Sequence, residues 1–310
     1  MKNLIICDTH CDTASEALDN GYELYNNPLM LDFKRMNKYM SYTQYFAAFT
    51  APEYYDIAYE RCSSIIKFII NQTNKYSNYV KLCKNYQDIK DAINEQKLSA
   101  FISVEGGEGV KSLEDVEKLY DMGARMITLT WNNDNHLGGG ALGDGRGLTE
   151  FGKQVVKKMN KLGIIVDVSH SSEKTFYDIL NITEKPIAAS HSNSYRICQH
   201  PRNLKDEQIK EIVKNDGVIG INFYTKFLKN DGLGNIDDII KHIEYFLSLG
   251  CENSICIGSD FDGIDTLPKG IEDVCDTYNI FKAMSSIGYN DSIIQKIAYK
   301  NIYRLISICL

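Results

Sequence analysis

Leu4-Ile5-Ile6-Cys7-Asp8-Thr9-His10-Cys11-Asp12 is an apolar run that ends in two carboxylates and an imidazole. A strand alternates its side chains, so residues i and i+2 share a face. His10 and Asp12 are therefore expected to point the same way, as a pair of candidate metal ligands, since Zn²⁺ takes both His nitrogen and Asp oxygen. Alone, the pair also fits a strand end with a capping histidine. The residues after the run bear on the fold: no Gly-rich phosphate loop follows this first strand, and that loop is what would support an open doubly wound sheet.

The pattern of an apolar run ending in polar side chains recurs outward along the chain. Thr43–Phe49, Leu98–Val104, Arg125–Trp131, Ile164–Val168, Pro186–Ala189, Val218–Phe223 and Ile255–Ser259 read as further strands. Several are continuous apolar runs, as strands buried on both faces require. Helical periodicity fills the intervals. It runs from about Pro52 to Asn74, with Ile57, Ile65, Ile66, Ile69 and Ile70 on one stripe, and over Ser112–Met122, where Ser112-x-x-Asp115 resembles a capping box and Gly123 closes the helix. Two more helices follow near Val274–Ser286 and Asp291–Ile308. Eight strands alternating with helices predict a parallel (β/α)8 TIM-type barrel, as a single domain over residues 1–310.

Composition narrows the function classes. Lys and Arg total 34 against 41 Asp and Glu, a net charge of −7 that argues against nucleic acid or an anionic membrane as partner. The nine cysteines are scattered without a C-x-x-C pair and read as reduced, buried small hydrophobes of a cytoplasmic protein. The first apolar run is too short for a signal-peptide core, and no stretch approaches the roughly 18 apolar residues of a membrane span.

In such a barrel, catalytic groups collect at the C-terminal ends of the strands. Those ends carry His10, Asp12, Glu105, Trp131, His170, His191 and Asp260. Three histidines with three carboxylates on one rim are hard to explain as packing, and they exceed what one tetrahedral Zn²⁺ uses. The excess suggests two ions sharing a carboxylate. His136, His200 and His242 stand away from these positions. The long loop Asn132–Gly147, rich in Gly, Asn and Asp, has the length of a functional loop.

These motifs carry a resemblance over nearly the whole chain. Asp8-Thr9-His10-Cys11-Asp12, Val104-Glu105-Gly106-Gly107, Asp167-Val168-Ser169-His170, Ser190-His191-Ser192, Pro201-Arg202-Asn203 and Gly258-Ser259-Asp260-Phe261-Asp262-Gly263, in this order, resemble the membrane (renal) dipeptidase family, the M19 peptidases of the amidohydrolase superfamily. The resemblance implies a barrel with two Zn²⁺, dipeptide substrates with a free carboxylate, a hydroxide shared by the metals as nucleophile, and a homodimer. His10 and Asp12 would hold one zinc, His170 and His191 the other, and Glu105 would bridge them. Asp260 would be the acid–base carboxylate, and Arg202 would face the substrate carboxylate. Asp262 is expected to brace its loop and Tyr224 to wall the pocket. Many family members carry a His where this chain has Trp131, which puts substrate range and rate in question. Removal of an acyl group from an amino acid or lactone opening are alternatives within the same chemistry, and a non-catalytic binding barrel would require ligands to be missing.

Overall fold

In the computed structural model, which describes residues 4–310, the apolar runs form parallel strands. They are β1 (Ile5–Cys11), β2 (Ser41–Phe49), β3 (Val80–Leu82), β4 (Leu98–Glu105), β5 (Ala124–Thr128), β6 (Ile165–Asp167), β7 (Ala188–Ala189), β8 (Val218–Ile221) and β9 (Ile255–Ile257). β1 pairs with both β2 and β9, and β2 pairs with β4, so all strands but β3 close into an eight-stranded ring. The predicted (β/α)8 barrel is the observed one. β3 is an addition that the sequence reading did not contain. It takes Leu98–Ala100 on β4, below the point where β5 joins the same edge at Ile102.

The barrel is filled, as its size requires. Cys7, Tyr45, Phe101, Met126, Ile165, Ala188, Val218 and Cys256, one from each strand of the ring, form a single buried layer. Ile302, Tyr303, Leu305 and Ile306 from the helix Asn301–Cys309 join that layer and plug the barrel. A second, larger core lies between the strands and the surrounding helices.

The helix with the predicted cap starts where expected, at Leu113. Ser112 and Asp115 form a complete capping box, and Gly123, at φ 112°, ends that helix in the left-handed region where glycine is at ease. The stretch expected as one helix from Pro52 divides into a 3₁₀ turn, Pro52–Ile57, and a helix, Ala58–Lys75. The tighter turn shifts the side-chain phase, so Ile57, expected on the inner stripe, is 52% exposed. A helix over Thr13–Asn20, whose buried face is the small residues Thr13, Ala14, Ser15 and Ala17 rather than a stripe of large apolar ones, follows β1 directly. Among the described residues no helix is long and apolar enough to cross a membrane.

Candidate metal centre

The polar ends of five of the eight ring strands converge above the barrel core, but not by simple alternation. The register between β1 and β2 shifts between Asp8 and Cys11, an irregularity of the kind that re-aims side chains beside functional sites. His10 is on the strand, whereas Asp12 lies beyond it as the N-cap of Thr13–Asn20. Their side chains still meet, with His10 Nε2 3.3 Å from Asp12 Oδ2. Glu105 is the last residue of β4. His170, His191 and Asp260 sit on the turns after β6, β7 and β9. His170 (φ 65°), Asp260 (φ 64°) and Asp262 (φ 67°) all adopt the left-handed backbone, which costs a non-glycine residue on the order of 1–3 kcal/mol and concentrates at functional sites.

All six side chains are buried and close. Glu105 Oε2 is 3.3 Å from His10 Nε2, and Glu105 Oε1 is 2.9 Å from His170 Nε2 and 3.7 Å from His191 Nε2. Asp260 Oδ1 lies 3.7 Å from His10 Nε2. Three overlapping groups could each hold an ion: His10–Asp12–Glu105, Glu105–His170–His191 and His10–His191–Asp260. Glu105 is the residue common to the first two.

The donor set fits a cation. His170 Nδ1 faces Asn132 Oδ1 at 2.8 Å, which assigns its proton to Nδ1. His191 Nδ1 faces Ser190 Oγ at 2.7 Å, and that hydroxyl donates to Asp167 Oδ2 at 2.5 Å, so it accepts from the imidazole. Both Nε2 atoms are then lone pairs, only 2.8 Å apart and beside a carboxylate. That contact is repulsive unless a cation lies between them. Asp12 Oδ1 is buried with no partner among the described residues. A Cβ on Gly263 would stand 2.1 Å from Asp12 Oδ2 and 2.7 Å from Asp260 Oδ1, so only glycine leaves the carboxylates their room.

Burial raises the Asp260 carboxyl to about 7, with His10 opposing and Asp12 and Glu105 adding to the rise. Burial likewise raises Asp12 to about 6. It holds His170 and His191 well below the usual imidazole range, in the neutral form that binds metal.

A second set of residues, not found from sequence, holds these groups in place. Asp8 Oδ1 accepts from the backbone N–H of His10 and of Ser259, tying β1 to the turn that bears Asp260. Asp167 Oδ1 accepts from the N–H of Ser169 and of Ser190, tying the turns that bear His170 and His191. Asn222 Nδ2 donates to Asp260 Oδ2 at 2.8 Å. Thr9 Oγ1 bonds the carbonyls of Ser190 and Ile257 across the barrel. The sequence signal for Asp8 and Asp167 was an acid inside an otherwise apolar strand.

Asp12, Glu105, Asp260 and His170 open onto a cleft of about 380 Å³, which Trp131, Phe49, Tyr224 and Phe227 also line. Trp131 lies past the end of β5, its ring 5.4 Å from Phe49 and 6.1 Å from His170. Arg202 is brought to the cluster from the other side. It lines an adjoining cleft of about 230 Å³, with His170 as a wall common to both. Arg202 is buried and donates from Nη2 to the His191 carbonyl at 3.2 Å, while its Nε has no partner among the described residues. Burial pulls its guanidinium down to about 10 against the opposing charges of Asp260 and Glu105. Asp262 braces its loop, accepting from Thr13 Oγ1 and Met30 N. His136, His200 and His242 are outside the cluster: His136 bonds Val110 O, His200 Nδ1 accepts from Arg202 N, and His242 is buried between Ser194 N and Leu228 O.

A closed barrel with a buried imidazole–carboxylate cluster on its C-terminal rim defines the class, an enzyme scaffold with a metal centre at the strand ends. Comparison with known proteins gives the family. The model of the membrane dipeptidase family (peptidase family M19) matches residues 1–309. An uncharacterized dipeptidase of Schizosaccharomyces pombe is 34% identical over 304 residues, covering 88% of this chain and 72% of that protein. An uncharacterized protein from the pqqA 5' region of Klebsiella pneumoniae is 32% identical over 263 residues, covering 81% and 95%. The fold superposes on a Rhodobacter sphaeroides metallopeptidase, liganded with a phosphinate mimic of the dipeptide L-Ala-D-Ala, with a TM-score of 0.91, 23% identity and full coverage of both chains. It superposes equally, at a TM-score of 0.91 and 24% identity over 99% of both chains, on an M19 metallopeptidase, dipeptidase AC. The chain belongs to the membrane dipeptidase family, peptidase family M19, and is a hydrolase of the metallo-dipeptidase type.

Proposed function

We propose that this protein is a zinc-dependent dipeptidase that cleaves dipeptides bearing a free C-terminal carboxylate. His10 and Asp12 would hold one Zn²⁺, His170 and His191 the other, and Glu105 would serve both. When bound, the pair supplies a water-derived nucleophile near neutral pH and polarises the scissile carbonyl. The nitrogen–oxygen donor set suits Zn²⁺. All nine cysteines are free and eight are buried, which supports a reducing, cytoplasmic setting.

The chain's own groups do the rest. Asn222 fixes Asp260 by Oδ2, leaving Oδ1 turned toward His10. Asp260 Oδ1 receives the proton of the attacking water and returns it to the departing amine, since an amide nitrogen leaves only when protonated. Trp131 and Tyr224 wall the cleft and shape the space for substrate side chains.

Arg202 carries the dipeptide reading. A buried guanidinium with an unpartnered Nε lacks the planar, bidentate acceptor it is built for, and a carboxylate supplies it. A dipeptide holds its terminal carboxylate at a fixed short distance from the scissile bond, so this one side chain both anchors the substrate and measures its length. The test is kcat/KM for one dipeptide and for its C-terminal amide. The dipeptide should be preferred by on the order of 10²-fold or more, because an unpaired buried charge costs several kcal/mol. Equal rates would remove the carboxylate anchor and favour lactonase chemistry.

A further inference from the structure

The partners of the two neighbouring imidazoles differ. His170 faces an amide, Asn132, whereas His191 faces a hydroxyl that is itself bound to a carboxylate. Asp167 is fully enclosed and accepts four hydrogen bonds. Its Oδ1 takes two backbone N–H groups, from Ser169 (3.0 Å) and Ser190 (2.9 Å). Its Oδ2 takes two hydroxyls, from Thr128 (2.7 Å) and Ser190 (2.5 Å). An ionised carboxylate only accepts, and a serine has one proton. With that proton committed to Asp167, Ser190 Oγ can only accept from His191 Nδ1.

We propose that Asp167 is a positioning residue that, through Ser190, fixes the proton of His191 on Nδ1 and so keeps Nε2 free to bind metal. The inference rests on the reading of His191 as a zinc ligand. Its consequence is directional. In Asp167→Asn, the side-chain oxygen can keep both backbone contacts, but a donating –NH₂ replaces Oδ2. Ser190 then accepts from the amide and turns its own proton toward His191 Nδ1. The imidazole is forced into the other tautomer, with Nε2 protonated and unable to ligate. In Ser190→Ala, the relay is absent and neither tautomer is imposed. Reversing the relay should therefore damage the site more than deleting it, and deleting it should rescue the reversal.

Two measurements test this. The first is Zn²⁺ affinity of metal-stripped protein, by competition with a chromophoric chelator. Ser190→Ala should weaken binding by about tenfold and Asp167→Asn by about 100-fold, the span found for outer partners of metal-bound histidines. The double variant Asp167→Asn/Ser190→Ala should recover to the level of Ser190→Ala. A purely structural carboxylate predicts no recovery. The second is long-range ¹H–¹⁵N NMR of the imidazoles in zinc-free protein, which should find the His191 proton on Nδ1 in the wild type and on Nε2 in Asp167→Asn. A double variant no better than Asp167→Asn, or a wild-type proton on Nε2, overturns the proposal. If Asp167→Asn does not fold, the wild-type tautomer and the Ser190→Ala affinity still decide it. A wild type that takes up no Zn²⁺ would sink the zinc reading in its own arm, while the NMR arm, made without metal, continues to judge Asp167.

Discussion

Gly263→Ala adds one methyl group and should disable the site. Gly263 does not use a left-handed backbone, so alanine can follow the chain there, and the whole effect falls on the Cβ. That Cβ would lie 2.1 Å from Asp12 Oδ2 and 2.7 Å from Asp260 Oδ1, whereas ordinary contact begins at 3.4 Å. Asp12 must retreat by about 1.3 Å and Asp260 by about 0.7 Å. Neither can do so freely. Asp260 is held by Asn222 and by its own N–H to His10 O, and Asp12 by its N–H to Phe261 O and by the His10 ring against its Oδ2. Metal ligands tolerate displacements of about 0.2 Å, and a catalytic group misplaced by about 1 Å costs on the order of 10²-fold in rate. The expected result is a fall in kcat/KM for a dipeptide of on the order of 10²-fold or more, with metal per chain reduced. Overpacking costs only about 1–3 kcal/mol, so the metal-free protein should still melt cooperatively within about 10 °C of wild type. Turnover, metal content by atomic emission and a thermal melt are the three readings. Wild-type turnover at wild-type metal content would refute the placement of Asp12 and Asp260 around a shared centre.

Glu105→Gln should lower metal content and abolish hydrolysis, because a neutral amide is a poor ligand between two dications. Full activity with two metals bound would remove Glu105 from the centre. Asp260→Asn should keep most of the metal but reduce kcat by on the order of 10²–10⁴-fold; a loss confined to KM would place it in substrate binding instead. His242 gives a stability prediction away from the site. Burial lowers it from 6.5 to about 4, so below pH 6.5 the unfolded chain binds a proton that the folded one refuses. Stability should fall as the pH drops from 6.5 and level off below about 4, a loss of about 3 kcal/mol in all. In zinc-free protein, His242→Gln should flatten that part of the urea-midpoint profile relative to wild type. An unchanged slope would show that the ring is not the group responsible.

Much of this was legible because the barrel repeats one rule: an apolar strand, then a polar side chain at its top. His10, Glu105, His170, His191 and Asp260 follow it and are found together. Alternation failed where backbone irregularity took over. Asp12 joins His10 across a register shift and a helix cap rather than along a strand face, and the positive φ of His170 and Asp260 leaves no trace in periodicity. β3 is three residues, too short for a pattern. An acid inside an apolar strand marked Asp8 and Asp167 as unusual, but not what they support, because Oδ1 of each is held by backbone N–H groups, which no residue identity announces.

The pairing of β1 with β9 also sets a timetable for the nascent chain. His10 and Ser259, which brings in Asp260, touch across 249 residues of sequence. At roughly 5–20 residues per second of synthesis, His10, Asp12 and Glu105 wait tens of seconds for the histidines and the acid that complete their site. During that interval the emerging chain presents an incomplete, open set of donors. An ion captured then would be held by fewer ligands than the finished barrel offers and would still exchange. On the two-zinc reading, the full ligand set would be complete only when the last strand docks against the first.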